Sequence, residues 1–272
     1  MNILETIIAQ KKKEVAGKKE IMDIDSLMTS SKNMERKCLS LKQVLADGTG
    51  SGIIAEFKRR SPSKGWINEG IDVSEVVPFY AAHGADAISV LTDKEFFGGD
   101  IEELRSARAK VGIPLLRKDF MVDDYQLYEA KSYGADVILL IAACLSRDEA
   151  IKLARKAKEL GLETLLEVHN EEELHHITQE IDIVGINNRN LGTFETDIQT
   201  SIRLIKYMPR DKPVISESGI SDVDTILTLR DAGFKGFLIG ETFMKQKSPA
   251  IAFADFMKSL DKGSNLIQHL NE

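Results

Sequence analysis

Residues 53–58 read Ile53-Ile54-Ala55-Glu56-Phe57-Lys58, an apolar run that ends in a carboxylate and an ammonium. Four later stretches repeat the design: Leu115-Leu116-Arg117-Lys118-Asp119, Leu165-Leu166-Glu167, Val184-Gly185-Ile186-Asn187 and Val214-Ile215-Ser216-Glu217. Near-continuous apolar runs of this kind suit parallel strands covered on both faces by other elements. Taking a charge out of water costs several kcal/mol unless it is well paired. A core built only for stability would not keep placing ionisable groups at the ends of its strands. Polar groups at many strand ends instead describe one site assembled at the mouth of a (β/α)8 barrel.

Working outward, strand patterns occupy residues 53–58, 87–92, 114–119, 137–141, 164–169, 183–187, 213–217 and 236–240. Helical patterns lie between them, among others at 74–83, 123–133, 147–160, 170–178 and 223–232. Gly84-Ala85-Asp86, Gly134-Ala135-Asp136 and Ala232-Gly233-Phe234 fall where a helix must end, and glycine suits that left-handed cap. An open doubly wound sheet also alternates strand with helix. Eight units, with no Gly-x-Gly-x-x-Gly turn after the first strand, favour the closed barrel. Before it, residues 3–19 are amphipathic, 41–45 form a short helix and Gly48-Thr49-Gly50-Ser51-Gly52 is a break. The prediction is an α/β chain: one (β/α)8 TIM-barrel domain over 1–272, with residues 1–50 as an N-terminal helical extension.

A chain of 272 residues fits one such barrel, which typically needs about 250. The net charge of −7 gives no general attraction to nucleic acid. Lys11-Lys12-Lys13 beside Glu14 reads as a solvated helix face. Cys38 and Cys144 lie too far apart to suggest a disulfide framework or a metal site. His83, His169, His175, His176 and His269 show no metal-binding spacing, and His175 and His176 read as exposed on a helix. There is no Gly-x-Ser-x-Gly nucleophile elbow. No signal-peptide core or membrane-length apolar run appears, so a cytoplasmic enzyme without membrane partners is expected.

Residues two apart on a strand point to one side. Glu56 and Lys58 therefore share a side with Ile54, as Lys118 does with Leu116, Glu167 with Leu165, Asn187 with Gly185 and Glu217 with Ile215. This geometry puts the apolar member inside the barrel and the polar one at its mouth; a purely structural ring of ion pairs is the alternative. A desolvated Lys118 would drop its pKa and serve as general acid or Schiff-base former, or stay a fixed positive charge. Ser216-Glu217-Ser218-Gly219-Ile220-Ser221 and Leu238-Ile239-Gly240-Glu241-Thr242 are the last two βα turns, a frequent phosphate site in barrels. Glu241 opposes an anion there unless its side chain points outward. The basic loop Arg59-Arg60-Ser61-Pro62-Ser63-Lys64-Gly65 reads either as a substrate-closing loop or as a solvated connector.

At these residues the chain resembles the indole-3-glycerol phosphate synthase family over nearly its whole length. The resemblance is carried by the segment from Ile54 to Gly65, by Leu116-Arg117-Lys118-Asp119-Phe120, by Leu166-Glu167-Val168-His169, by Gly185-Ile186-Asn187-Asn188-Arg189-Asn190-Leu191 and by Ser216-Glu217-Ser218-Gly219-Ile220. It implies a (β/α)8 barrel that closes the ring of 1-(2-carboxyphenylamino)-1-deoxyribulose 5-phosphate. The products would be indole-3-glycerol phosphate, CO2 and water, formed without metal or organic cofactor. Lys118 would be the acid that protonates the substrate carbonyl. Glu167 would be the acid/base partner in dehydration, with Lys58 as a second acid. Glu56, Asn187 and Glu217 would hold the lysines and substrate hydroxyls. Ser61, Arg189, Ser218, Gly219, Gly240 and the Glu241 backbone N–H would take the phosphate and its neighbours. Phe96 or Phe97, with Phe120, would pack on the anthranilate ring. Asn190 and Glu241 depart from residues common in the family, Asp and Ser. The resemblance implies a monofunctional chain, not one fused to phosphoribosylanthranilate isomerase. A monomer is expected, and association with other tryptophan-pathway enzymes stays open. Rival readings are another phosphate-binding barrel of that pathway and a non-catalytic anion-binding barrel. The first does not explain Glu56-x-Lys58 with the Ser-Pro-Ser loop; the second should have lost Lys58, Lys118 or Glu167.

Overall fold

The computed structural model describes residues 3–271, without the side chains of Ser30 and of residues 264–271, so that His269 lies outside the described side chains. Eight parallel strands close into a barrel. They are β1 (Ile53–Phe57), β2 (Ala87–Leu91), β3 (Leu115–Lys118), β4 (Val137–Ile141), β5 (Glu163–Val168), β6 (Ile183–Asn187), β7 (Val214–Glu217) and β8 (Gly236–Ile239). Each pairs with the next in the chain, and β8 returns to β1 in the register Ile53↔Phe237, Ile54↔Leu238, Ala55↔Ile239.

Alternation along each strand sorts the apolar side chains into two layers. Ile54, Leu116, Leu139, Leu165, Ile215 and Leu238 fill the barrel interior. Ile53, Ala55 and Phe57, of opposite parity on β1, pack outward with helical residues such as Val77, Tyr80 and Phe253. The helices are α1 (Ile3–Ile21), α2 (Ile24–Ser30), α3 (Leu41–Asp47), α4 (Val73–Ala82), α5 (Ile101–Arg108), α6 (Tyr125–Ser132), α7 (Arg147–Glu159), α8 (Gln199–Leu204), α9 (Val223–Asp231), α10 (Glu241–Met244) and α11 (Pro249–Asn271). Gly84, Gly134 and Gly233 have φ of 98°, 96° and 110°, the left-handed turn that the Gly-Ala-Asp and Ala-Gly-Phe segments predicted.

Three expectations change. The helix expected over 170–178 is a single 3-10 segment, Glu171–His176. The Glu173 carboxylate folds back onto the His169 backbone N–H, and Ile177 is already extended. His176 is buried, because its ring nitrogens lie 3.1 Å from the Glu173 carbonyl and 2.9 Å from the Leu145 carbonyl; His175 is exposed as expected.

The third change concerns the lysine run. Lys12 and Lys13 are exposed, but Lys11 is buried, with 1% of its side chain accessible. Its Nζ lies 2.8 Å from Asp93, 2.9 Å from Asp119 and 2.9 Å from Glu14. Arg117 joins Asp119 to Glu129, and Lys18 reaches Glu129 at 2.9 Å. Paired charges thus pin α1 against the C-terminal ends of β2 and β3. At the opposite end of the barrel Leu41 and Leu45 of α3 join the interior cluster.

Candidate active site

The strand ends meet in one cavity at the C-terminal mouth. Glu56, Lys58, Lys118, Glu167, Asn187 and Glu217 all line it. The shared side predicted from parity therefore belongs to a single site, not to a ring scattered around the barrel. Lys118 is its centre. Its Nζ donates to Glu167 Oε2 at 2.9 Å and lies 3.6 Å from Glu217 Oε2. Lys58 pairs with Glu56 at 3.0 Å, and Ser89 donates to Glu56 at 3.3 Å.

Of the two states left open for Lys118, a lowered pKa and a fixed positive charge, the surroundings favour the charge. Burial pushes the pKa down, but Glu167, Glu217 and Glu56 together outweigh burial and push it up. The amine stays charged, so it suits proton donation and electrostatic stabilisation, and a Schiff base is disfavoured. The same field sorts the carboxylates. Burial opposes ionisation of Glu167, yet Lys118 and His169 hold it well below the usual carboxylate range. Burial pushes Glu217 up to about 8; Lys118 opposes this, and Glu167 and Glu56 add to it. Two acids beside one lysine are thus driven to opposite protonation states at neutral pH.

A raised folded pKa has a definite sign in stability. The Glu217 contribution is fully present below its unfolded value near 4.5 and is lost as pH rises to about 8. Wild type should therefore lose stability relative to Glu217→Gln across that window, and denaturant titrations of both from pH 4.5 to 8 check it. A parallel change is a control.

Gly185 matters by what it lacks. A Cβ there would collide with Glu217 Oε1 and crowd Leu165 on β5. Gly185→Ala should displace Glu217 from Lys118, destabilise the protein by about 1–3 kcal/mol as overpacking typically does, and lower kcat more than it raises KM. Steady-state kinetics with thermal unfolding measure both effects.

Apolar groups line the rest of the cavity. Phe97 and Phe120 face each other with centroids 6.0 Å apart, and both border it. Phe96 does not line it, although the backbone N–H groups of both Phe96 and Phe97 donate to Asp93 Oδ1. Ile3, Leu4 and Ile7 of α1 form part of the wall, as does Phe194. Sequence reading missed these. Phe194 sits in a loop at φ 61°, where nothing local marks it.

A second cavity adjoins the first and shares Glu56, Lys58, Arg189 and Ser218 with it. Gly219, Gly240, Glu241, Lys64 and Lys245 complete its charged and glycine-edged rim. Ser61 lines only the first cavity. Ser218 is held at φ 67° and Gly219 follows at 76°. A non-glycine residue in that region stores strain, which is typical of functional turns. The Ser218 carbonyl accepts from Asn188 Nδ2 at 3.0 Å, which fixes the turn.

Glu241 does not point outward. Lys64 holds its carboxylate at 2.5 Å and Arg189 faces it at 3.6 Å. Pairing, not outward orientation, resolves its charge; Lys64, Lys58 and Arg189 outweigh burial and hold its pKa below the usual range. Asn190 does the work of an acidic residue in its loop, since its side-chain oxygen accepts from the N–H groups of Gly192 and Thr193 at 2.8 and 3.0 Å.

Among the described residues no group of three or more His, Cys, Asp or Glu is arranged to hold a metal ion, and no helix is long and apolar enough to cross a membrane. Solved structures with this fold include the tryptophan synthase alpha subunit of Legionella pneumophila. That match has a TM-score of 0.60 and 14% identity, and covers 85% of this chain and 97% of that one. The 3-hexulose-6-phosphate synthase of Salmonella typhimurium also scores 0.60, at 14% identity over 78% of this chain and 99% of that one. At such identities the likeness concerns the barrel alone. Sequence relatives say more. The indole-3-glycerol phosphate synthase of Bacteroides thetaiotaomicron is 51% identical over 95% of this chain and 99% of its own length. That of Thermoanaerobacter pseudethanolicus is 42% identical over 96% and 99%. The sequence profile named indole-3-glycerol phosphate synthase matches residues 4–256, the whole barrel with α1, and the chain belongs to that family.

Proposed function

We propose that this protein is a decarboxylating lyase that converts 1-(2-carboxyphenylamino)-1-deoxyribulose 5-phosphate to indole-3-glycerol phosphate, CO2 and water. One observation carries the assignment of roles. Lys118, clamped by Glu167 and Glu217, lines a cavity with aromatic walls, and a cationic, glycine-edged cavity adjoins it across Lys58, Arg189 and Ser218. The anthranilate ring fits the first, against the wall that Phe97 and Phe120 form together. The phosphate fits the second, against Arg189, Lys64 and the backbone of Ser218, Gly219, Gly240 and Glu241. The carbonyl between them then falls beside Lys118.

In this reading Lys118 donates to the carbonyl oxygen where negative charge develops, an effect strongest in a buried site. Loss of CO2 restores aromaticity. Lys58, positioned by Glu56, and Glu167 serve the dehydration, while Asn187 and Glu217 orient the lysines and hydroxyls. Phosphate contacts remote from the reacting carbons supply orientation. Every group named belongs to one chain, which fits a monomer as the working unit, and membership of a biosynthetic enzyme family supports the cytoplasm as its place. The test is formation of indole-3-glycerol phosphate from the carboxyphenylamino-deoxyribulose phosphate in EDTA. Folded wild-type protein that gives no product would sink the assignment and favour a binding-only barrel.

A further inference from the structure

Glu167 spends its two oxygens on different cations. Oε2 accepts from Lys118 at 2.9 Å, and Oε1 faces His169 Nε2 at 3.2 Å. The Nε2 contact is an ion pair without hydrogen-bond alignment, which a small ring rotation would supply. On its far side, His169 Nδ1 lies 3.1 Å from Glu173 Oε2. That oxygen also accepts the His169 backbone N–H at 2.8 Å, and Asn170 holds the other Glu173 oxygen at 2.9 Å. Charge alternates along the row Glu173, His169, Glu167, Lys118. Side-chain accessibility falls from 14% at Glu173 to 9% at His169 and 3% at Glu167, so the row leads from the rim inward. Glu167 also faces Glu217, which burial and the neighbouring carboxylates favour in its protonated form, and Cys144, near both Glu167 and Glu173, has a thiol that burial keeps protonated. Burial works against the imidazolium, but Glu167 and Glu173 raise its pKa to about 10, so the ring carries a proton at neutral pH.

The reaction proposed above, on which this inference rests, needs such a proton. The carbonyl oxygen takes one proton as the ring carbon bonds to the carbonyl carbon. The bond to the carboxylate then breaks, CO2 leaves, and the electron pair returns to the ring without a proton. The same oxygen takes a second proton and leaves as water, while the carbon beside nitrogen gives one up. One proton is therefore drawn from solvent in each turnover, although a bound substrate covers Lys118 from the cavity side.

We infer that His169 is a positioning residue that holds this proton in reserve and reloads Lys118 through Glu167. The Nε2 proton passes to Glu167 Oε1, and rotation of the carboxyl group about its Cγ–Cδ bond turns that protonated oxygen to the Lys118 amine, which takes the same proton. A flip of the neutral ring then brings the emptied Nε2 to the rim and the protonated Nδ1 to Glu167, and water or a buffer acid reprotonates Nε2 beside Glu173, which supplies the counter-charge.

The test compares wild type with His169→Gln, which keeps a donor toward Glu167 but no titratable proton. KM should stay within about twofold, and kcat in dilute buffer should fall about 10- to 100-fold. Added imidazole buffer should restore the variant and leave wild type unchanged. Wild-type kcat in the variant, or a loss that buffer does not restore, overturns the relay. If that variant does not fold, Glu173→Gln decides: the alkaline limb of its kcat profile should move to lower pH, and an unmoved limb overturns the proposal. A wild-type chain without turnover defeats the reaction assignment itself; wild-type turnover with an unaltered variant defeats the relay alone.

Discussion

Lys118→Ala should lower kcat by about 10²–10⁴-fold, the usual contribution of a positioned general acid, with little change in KM. The barrel should stay folded. Deleting the ammonium leaves Glu167 with His169 at 3.2 Å and leaves Glu217 a carboxyl whose pKa is already about 8. Removing the cation raises both acids further, so at neutral pH Glu217 stays protonated and no unpaired pair of negative charges is trapped. Circular dichroism should overlay that of wild type, and single-turnover measurement should place the defect in the chemical step. An active Lys118→Ala enzyme would transfer the acid role to Lys58, whose partner Glu56 is 3.0 Å away.

The largest stability effect is expected at the ion pairs that hold α1 to the barrel, not at the reacting groups themselves. Lys11→Met strands the Asp93 and Asp119 carboxylates, and breaking a buried pair from one side typically costs about 3–5 kcal/mol. Asp119 keeps Arg117 and Thr92, which places the loss toward the lower end. Burial opposes its ionisation, but Lys11 and Arg117 outweigh burial and hold the Asp119 pKa low in the folded state. A depressed carboxylate stabilises above its unfolded pKa near 3.8 and loses that contribution as pH falls further. The difference between wild type and Lys11→Met should therefore be full at pH 7 and shrink below about pH 4. Urea titrations at pH 7 and 3.5 check it. Because Ile3, Leu4 and Ile7 border the cavity, KM should rise with the loss. Unchanged stability at pH 7 would mean that the Lys11 pairs only offset their own desolvation.

Much of this molecule was legible in its residues. Strand limits agree with the apolar runs to within a residue or so, because a strand buried on both faces leaves no ambiguity about where its apolar part stops. The parity of Glu56, Lys118, Glu167 and Glu217 located the site for the same reason. Lys11 was misread although a signal existed. Ile7, Lys11 and Val15 are four apart and all are buried, so Lys11 stands on the inward stripe of α1. Composition of the run outweighed its phase. The choice between Phe96 and Phe97 depends on the turn after Asp93, whose carboxylate accepts from both backbone N–H groups, and the direction of Glu241 on cations 52 and 177 residues away in sequence. His169 was read only as one letter of a family segment; its meaning depends on Glu173 folding back, which ended a helix that the pattern of residues 170–178 had suggested.

The extension holds the barrel at both ends, with α3 at its base and α1 at its mouth. During synthesis this sets an order of events. Lys11 leaves the ribosome long before Asp119, by about 5–20 s at ordinary elongation rates. The edge of β1 facing β8 waits longer still, for residues 236–239. The first helix made therefore has to wait for the chain through Glu129 before it can dock. Until then the nascent chain carries an apolar helix face and an unpaired strand edge, the segment most in need of a chaperone.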